Sequence, residues 1–292
     1  LVDSLVARGH EVAAFDFFDG PDHRWAVDGV EMVAGNFLNN GDVRAAVRGR
    51  DIVVHMLSTT DPASAEEDPT LDVRTNILSS ISLFQECVNA GVSHIYFPSS
   101  GGSVYGPQPR RSFTEDSPTF PISPYAIGKL AIENYLAYFA RKYGLGSTVV
   151  RISNPYGTRQ NPRKRQGIIP IFLRQILMGE PISVMGDGTM VRDYIYVNDV
   201  AEIMADMITR RTLHNLYNLG SGLSTSVNDI VNVVGRVTGV TPEVVRLPVP
   251  STYVGHVTLD VTRLRREFPG STLTPLERGV AKTWDEMTSL GE

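Results

Sequence analysis

Apolar strand-like runs alternate with helix-like segments through the first half of the chain, and this alternation constrains the fold more than any other feature. The runs DIVVHML (51–57), SHIYFPSS (93–100) and GSTVVRIS (146–153) have the apolar content of buried strands. Helices are predicted between them over about 71–90 and 124–143. Because strands that alternate with helices pair in parallel, the sequence predicts an α/β fold with helices on both faces of a doubly wound parallel sheet.

The first residues, LVDSLVARGHEVAAFD (1–16), follow the order of the second half of a dinucleotide-binding βαβ unit: helix, glycine, buried strand and terminal acid. Leu1, Leu5 and Val6 form an apolar stripe at helical spacing, and the strand ends at Asp16. The first strand and the Gly-rich loop that open such a unit are missing from this sequence, and we expect the native protein to have them. The predicted sheet is therefore of the Rossmann type.

A polar loop, GTRQNPRKRQG (157–167), breaks the alternation, and the segments after it predict a smaller mixed α/β region towards the carboxyl terminus. We expect a dinucleotide-binding domain formed by residues 1–155 and about 192–218. A substrate-binding domain is expected from about 156–191 and from 219–292.

Charge and composition exclude several classes of function. The formal net charge of −5 gives no general attraction to nucleic acid or to an anionic membrane, and the basic run 162–166 is interpreted as a solvated loop. No apolar stretch approaches the roughly 18 residues of a membrane helix, and no signal peptide is visible. The single cysteine, Cys87, excludes an internal disulfide and a multi-cysteine metal site. We therefore expect a cytoplasmic enzyme without a metal, a membrane anchor or a nucleic-acid partner.

Tyr125 and Lys129, in SPYAIGKLAIENY, are four residues apart and therefore neighbours on one face of the second predicted helix. An ammonium group beside a phenol stabilises the phenolate and lowers its pKa from about 10. A shift of about 3 units, roughly 4 kcal/mol, would make the tyrosine a general base near neutral pH. The spacing alone favours a chance surface pair, so the neighbouring motifs have to decide between the two interpretations.

Three further motifs give this pair its context. FPSSGGSVYG (97–106) places hydroxyl groups on a glycine-rich turn at the carboxyl end of a strand, where open α/β sheets bind ligands. RISNPYG (151–157) and GDGTMVRDYIYVNDVA (186–201) follow. In combination, these motifs make the chain resemble the extended short-chain dehydrogenase/reductase family over essentially its whole length. The resemblance is to the NAD-dependent nucleotide-sugar epimerases and dehydratases, and most of all to UDP-glucose 4-epimerase-like members.

The resemblance implies NAD as the cofactor and assigns two roles: Tyr125 is the catalytic base, and Lys129 binds the nicotinamide ribose and tunes the tyrosine. It also implies that Asp16 binds the adenosine ribose hydroxyls, which favours NAD over NADP, although this acid alone also fits a helix cap or a turn. Further cofactor contacts are implied for residues at strand ends and at the start of a helix: Asn36, Phe37, Met56, Leu57, Ser58 and Asn76. For Met56 and Leu57, a place in the core explains the residue type nearly as well.

On the substrate side, the resemblance implies that Asn154 contacts the diphosphate and that Arg192 clamps it, because a guanidinium group chelates phosphate oxygens in a fork. The alternative for Arg192 is an ion pair with Asp187 or Asp193. Val257 stands where relatives often have a bulky tyrosine beside the hexose. The smaller side chain leaves room for an N-acetyl group, so an N-acetylhexosamine is an alternative substrate.

The glycine-rich turn departs from the family pattern in two ways. Gly101 occupies the position of a serine or threonine that relays the sugar proton, so Ser100 or Ser103 has to supply the hydroxyl group, and Ser100 is the preferred candidate. Gly102 and Ser103 occupy the positions of the aspartate and glutamate of 4,6-dehydratases. Dehydration therefore lacks its carboxylates.

The resemblance thus predicts C4 epimerisation of a nucleotide-diphosphate sugar, of the UDP-glucose/UDP-galactose type, through a 4-keto intermediate. Pro250 and Tyr253 replace an arginine and an aspartate that contact the nucleotide in relatives, which leaves the nucleotide open. The alternatives are another NAD-dependent reaction on a nucleotide sugar (C5 or C3,5 epimerisation, reduction or decarboxylation) and a non-catalytic nucleotide sensor on the same fold. The two long helices, about 71–90 and 124–143, are implied to form a four-helix bundle in a homodimer.

Overall fold

Helices and strands alternate through the first half of the chain, as the apolar pattern predicted. The computed structural model describes residues 1–18, 28–160, 167–249 and 254–289. The basic run 162–166, Pro250 and Tyr253 lie outside the described residues.

The secondary-structure elements are numbered here in chain order. The strands are β1 (Val12–Asp16), β2 (Val30–Ala34), β3 (Ile52–Val54), β4 (His94–Ser100), β5 (Ser112–Phe113), β6 (Gly146–Ile152), β7 (Asn154–Tyr156), β8 (Ile182–Met185), β9 (Val191–Arg192), β10 (Tyr194–Tyr196), β11 (Leu216–Leu219), β12 (Thr225–Ser226), β13 (Val244–Leu247) and β14 (Thr258–Leu259). The helices are α1 (Val2–Ala7), α2 (Asn40–Val47), α3 (Pro62–Glu67), α4 (Pro69–Asp72), α5 (Leu78–Ala90), α6 (Pro124–Tyr143), α7 (Ile168–Leu177), α8 (Val197–Arg210), α9 (Val227–Thr238), α10 (Thr262–Glu267) and α11 (Leu276–Ser289).

Four parallel strands form the central sheet in the order β11-β6-β4-β3, and β1 pairs in parallel with β2. The register of β4 against β6 runs from His94 opposite Gly146 to Ser100 opposite Ile152. The carboxyl ends of these two strands therefore lie side by side, and the predicted parallel sheet is confirmed.

Apolar side chains cover both faces of this sheet. Tyr96 and Val150 belong to one buried cluster, together with residues of α8, whereas Ile95 and Phe97 belong to a second cluster with residues of α5 and α6. Successive residues of β4 thus point to opposite faces and are buried on both, which explains why the centre of the strand, Ile95–Phe97, is apolar at successive positions.

A third buried cluster joins α7, β8, α9 and α11. Val257, Leu259 and Leu264, from the carboxyl-terminal region, instead lie in the same cluster as Tyr96. The division into a dinucleotide-binding and a substrate-binding domain stays a prediction.

The two long predicted helices differ in regularity. The segment predicted as one helix over 71–90 consists of α4 and α5, joined by a π-helical turn at Val73–Ile77. Helix α6 begins after Ser123, whose hydroxyl accepts a hydrogen bond from the Ala126 N–H, and it ends at Gly144 in the left-handed conformation. No helix in the described part of the chain is long and apolar enough to cross a membrane.

Candidate active site

The glycine-rich turn follows β4 directly and is closely packed. A Cβ atom on Gly101 would lie 2.7 Å from Cδ1 of Leu259 and 2.9 Å from the carbonyl oxygen of Arg151. A serine or threonine therefore has no room at this position, which accounts for the departure from the family pattern. The neighbouring Ser100, the preferred relay candidate, accepts a hydrogen bond of 2.8 Å from the Ser103 hydroxyl.

Helix α6 brings Tyr125 and Lys129 to this turn. The Ser100 hydroxyl lies close enough to the Tyr125 phenol to lower its pKa and accepts a hydrogen bond from Ser103, so Ser103, Ser100 and Tyr125 form one chain of neighbouring hydroxyl groups. The Lys129 Nζ lies 5.8 Å from the centre of the Tyr125 ring and 4.9 Å from that of Phe97. Both serines favoured as proton relays thus lie beside the tyrosine, with Ser100 nearer to it.

The pKa values of Tyr125 and Lys129 are governed by burial more than by the attraction between the two groups. Burial raises the pKa of Tyr125 to about 12, and the charges of Asp72 and Asp61 also raise it, while the Ser100 hydrogen bond lowers it. Burial lowers the pKa of Lys129 to about 8, against the opposing effects of Asp72 and Glu133. Desolvation of the phenolate therefore outweighs the expected stabilisation by the lysine in the protein without ligands.

A buried ion pair underlies the turn. Nη2 of Arg151 donates a hydrogen bond of 2.7 Å to Oε2 of Glu133, and the two side chains are only 6% and 8% exposed. Ser99 donates to the same carboxylate at 2.5 Å, and Arg151 also donates to the Tyr105 hydroxyl at 3.1 Å. These bonds fix the ends of β4 and β6 against α6. We did not predict this network, although a charged Arg151 within the apolar strand β6 was a signal for it.

The residues predicted to contact adenosine occupy the ends of β1 and β2. Asp16 is exposed, and its carboxylate accepts a hydrogen bond of 2.7 Å from the Phe17 N–H. The Asn36 side-chain oxygen accepts a bond of 2.8 Å from the Leu38 N–H. The Phe37 side chain is buried and its ring centre lies 5.3 Å from that of His55. Phe37 therefore packs in the core rather than presenting its ring to a ligand.

The segment after β3 combines exposed and anchored residues. Met56 is 54% exposed, and the partly buried Leu57 packs against the second apolar cluster. The Ser58 hydroxyl donates a hydrogen bond of 2.8 Å to the Thr60 carbonyl oxygen. A core position was the alternative to a cofactor contact for both Met56 and Leu57, and only Leu57 packs in the core.

Asn76 lies inside the π-helical turn, and the prediction that it opens a helix was wrong. It is buried, and its side-chain oxygen accepts hydrogen bonds from the backbone N–H and the hydroxyl group of Thr59. Because α4 already begins at Pro69, the helical run starts about two turns before Asn76. Asn76 thus holds the loop after β3 from within the helix.

The residues predicted to contact the diphosphate surround the start of β10. Nδ2 of Asn154 donates a hydrogen bond of 2.9 Å to the Asp193 carbonyl oxygen, and the same amide lies 3.4 Å from where a Cβ of Gly102 would stand. The Asp193 carboxylate accepts hydrogen bonds from Ser221. Arg192 is partly exposed and lies opposite Thr225 in the antiparallel pair β9–β12.

Val257 and its neighbour His256 differ in exposure. Val257 is 1% exposed and lies in the first apolar cluster, which argues against the predicted contact with a sugar. Burial lowers the pKa of the partly exposed His256, and so do the charges of Arg111 and Arg192. The guanidinium groups of Arg111 and Arg192 thus give the surroundings of His256 a positive charge, and the sequence-based prediction included only Arg192.

No group of three or more histidine, cysteine, aspartate or glutamate residues in the described ranges could hold a metal ion.

Comparisons with known proteins show where this chain belongs. Residues 1–220 match the NAD dependent epimerase/dehydratase family. UDP-glucose 4-epimerase of Thermotoga maritima, solved with UDP-glucose, has a TM-score of 0.91 and 30% identity, with coverage of 100% of this chain and 95% of that chain. UDP-glucose 4-epimerase of Thermus thermophilus, solved with NAD, has a TM-score of 0.91 and 31% identity, with coverage of 98% and 94%. dTDP-glucose 4,6-dehydratase of Streptomyces griseus is 29% identical over 282 residues, which cover 92% of this chain and 82% of that protein.

The chain belongs to the NAD dependent epimerase/dehydratase family. It is an enzyme of this NAD-dependent class, and the Rossmann-type fold and the family resemblance predicted from the motifs are confirmed.

Proposed function

We propose that this enzyme interconverts the C4 epimers of a nucleotide-diphosphate sugar, of the UDP-glucose/UDP-galactose type, with NAD retained between turnovers. The observation that carries the proposal is the hydroxyl chain Ser103–Ser100–Tyr125 beside Lys129, at the carboxyl ends of two parallel strands. Such an arrangement can remove and return one proton without adding a water molecule or eliminating one.

The described residues fit a dinucleotide along the edge of the sheet. The exposed carboxylate of Asp16 at the end of β1 suits ribose hydroxyls, and the exposed Met56 at the end of β3 offers apolar surface that a bound ring would cover. We propose that Ser58 and Lys129 also contact the dinucleotide. We assign to Asn36 a hydrogen bond with the adenine edge through its amide NH2 group, because its side-chain oxygen already accepts from the Leu38 N–H, and the buried Phe37 supports it from the core.

Proton transfer is assigned to the hydroxyl chain. Tyr125, as the phenolate, takes the proton of the sugar 4-hydroxyl, either directly or through Ser100. The ammonium group of Lys129 stabilises that phenolate. When bound, NAD would accept the hydride from C4 of the sugar and later return it to the same carbon. The 4-keto sugar turns over in the site before the hydride returns to its opposite face, so the reaction has no net redox change.

The diphosphate has to stay bound while the sugar turns. The region around Arg111, Arg192 and His256, in which the two arginines carry the positive charge, suits this task, because a guanidinium group binds phosphate oxygens through paired, charge-assisted hydrogen bonds. Asn154 lies between this region and the turn, within contact distance of Gly102. We propose that these residues anchor the diphosphate and leave the hexose near Tyr125.

Dehydration, the reaction named for one relative, is disfavoured by the turn itself. Gly102 and Ser103 carry no carboxylate to serve as the acid and base of water elimination. The buried Glu133 is already paired with Arg151 beneath the turn.

A substrate panel tests the proposed function. The purified enzyme is incubated separately with UDP-glucose, UDP-N-acetylglucosamine, UDP-glucuronate and dTDP-glucose, and the products are identified by NMR. UDP-galactose is expected from UDP-glucose. The absence of turnover with every UDP-sugar would contradict the proposal, and a 4-keto-6-deoxy product would replace it with dehydration.

We also propose a homodimer formed through α4, α5 and α6. Large apolar side chains on α5, on α6 and in the π-helical turn before α5 are more than one third exposed: Val73, Leu78, Ile127, Tyr135, Tyr138 and Tyr143. A second copy of the same face would cover them. Light scattering of the purified chain should give the mass of a dimer, and a monomer at micromolar concentration would contradict this part of the proposal.

A further inference from the structure

A buried carboxylate that the proposed mechanism does not use lies against the catalytic helix. Asp72, the last residue of α4, is 4% exposed. A Cβ atom on Gly128 would lie only 1.9 Å from Oδ2 of Asp72 and 3.0 Å from its Cγ. The carboxylate thus occupies the space that any side chain at position 128 would need. Gly128 stands between Tyr125 and Lys129 on α6, so Asp72 approaches the helix at the catalytic pair itself.

Hydrogen bonds fix the orientation of this carboxylate. Its Oδ1 atom accepts a bond of 2.6 Å from the Thr60 hydroxyl and one of 2.8 Å from the Asn76 amide. Asn76 in turn accepts the Thr59 N–H at 2.8 Å. The carboxylate is therefore held by the loop after β3 and by the π-helical turn, a type of distortion that often accompanies functional sites. Glycine is unfavourable inside a helix, and the close approach of Asp72 gives a reason for it here.

Several charged or titratable groups face the catalytic pair. Asp72, Asp61 and Ser100 act on Tyr125, and Asp72 and Glu133 act on Lys129. The imidazole of His55, whose pKa is lowered to about 3 by burial, also faces Lys129 and is neutral.

Among these groups, Asp72 is the acid that acts on both members of the pair. Glu133 is neutralised by Arg151 at 2.7 Å, which weakens its effect on Lys129. Asp72 has two neutral hydrogen-bond donors, Thr60 and Asn76, on Oδ1. Its other oxygen, Oδ2, lies against Gly128, the residue before Lys129 on α6, and the charge of Asp72 raises the pKa of that lysine.

We propose that Asp72 is a positioning residue that provides the counter-charge of Lys129, keeps the lysine protonated and thereby sets the pH range of the Tyr125–Lys129 pair, with Gly128 providing the space. The catalytic meaning of this assignment rests on the proposed function. The electrostatic assignment itself concerns Lys129 and is testable without turnover.

Titration of Lys129 tests the counter-charge. The lysines of the chain are Lys129, Lys142, Lys164 and Lys282. Lysine side chains carrying an isotope label give few NMR signals, and loss of one signal in Lys129→Arg assigns it. The variant Asp72→Asn keeps the size of the side chain and an oxygen that can accept both hydrogen bonds.

In Asp72→Asn, the titration midpoint of Lys129 should fall below its wild-type value by about one pH unit. The matched control is Asp116→Asn. The Asp116 side chain is 84% exposed and pairs with Arg263, so this substitution should leave the titration midpoint of Lys129 unchanged. An unchanged midpoint in Asp72→Asn would overturn the proposal. The pH profile of kcat/KM should move to lower pH in the same variant, which a merely structural role of Asp72 would not cause.

Thermal unfolding tests the contact with Gly128 and covers the case in which Asp72→Asn folds poorly. Gly128→Ala should lower Tm in the wild-type background, because the added methyl group meets the carboxylate. The same change should cost much less in the Asp72→Ala background, where the space is empty. Equal losses in both backgrounds would overturn the proposed contact. Absence of turnover in the wild type would refute the proposed function alone, since neither the titration nor the unfolding cycle depends on it.

Discussion

Replacing Glu133 by glutamine removes one charge from a pair that is almost completely buried, while it preserves the size of the side chain. Arg151 donates three hydrogen bonds to the Glu133 carboxylate, the shortest of 2.7 Å. The glutamine amide leaves the guanidinium charge without a counter-charge in the core. Breaking a buried pair from one side costs about 3–5 kcal/mol. We therefore expect the free energy of unfolding to fall by this amount and Tm to fall by roughly 5–10 °C.

Urea unfolding followed by circular dichroism measures this change, provided that the m value stays constant. The control is Glu277→Gln, which breaks an ion pair with Arg236 of 3.2 Å whose side chains are 56% and 57% exposed. That pair should contribute about 0–1 kcal/mol, because solvent screens it. If Glu133→Gln destabilises the protein no more than Glu277→Gln, the argument that burial makes the first pair essential is refuted.

Three further outcomes follow from the site. Tyr125→Phe should lower kcat by about 10²–10⁴-fold because it removes the general base, and bound NAD should remain, whereas Tyr135→Phe on the exposed face of the same helix should retain activity; wild-type activity in Tyr125→Phe would exclude the assigned base. Burial raises the pKa of Tyr125, which must lose its proton to act as a base, so kcat/KM should rise with pH up to the pKa of Lys129, about 8. Above that pH it should stop rising, because the lysine loses its ammonium charge. A value of kcat/KM that falls as the pH rises towards neutrality would contradict this assignment. Gly101→Ser should destabilise the fold by about 1–3 kcal/mol in urea unfolding, because its Cβ would approach the Arg151 carbonyl oxygen at 2.9 Å, and unchanged stability would show that the turn has room.

Local patterns in the sequence sufficed for the parallel sheet and for the proximity of Tyr125 to Lys129. Buried strands reveal themselves by continuous apolar runs, and residues four apart on a helix are neighbours whatever the rest of the chain does. Ser100 could be placed at the site because it ends one of these strands.

The charge balance of the site could not be predicted in this way. Asp72 and Glu133 meet the catalytic pair and Arg151 only through the packing of elements distant in sequence. Spacing reveals a neighbouring ammonium group but not the extent of desolvation, which raises the pKa of Tyr125. Burial likewise separates Phe37 and Val257, which lie in the core, from Met56, which is exposed.

An isotope-transfer experiment tests the central claim most directly. UDP-glucose carrying deuterium at C4 is incubated with the enzyme in ordinary water, and the UDP-galactose formed is analysed by NMR and mass spectrometry. Hydride removal and return at the same carbon predict that the product retains deuterium at C4, with no net reduction of NAD. Loss of the deuterium to solvent, or the absence of any UDP-galactose, would contradict C4 epimerisation by this enzyme.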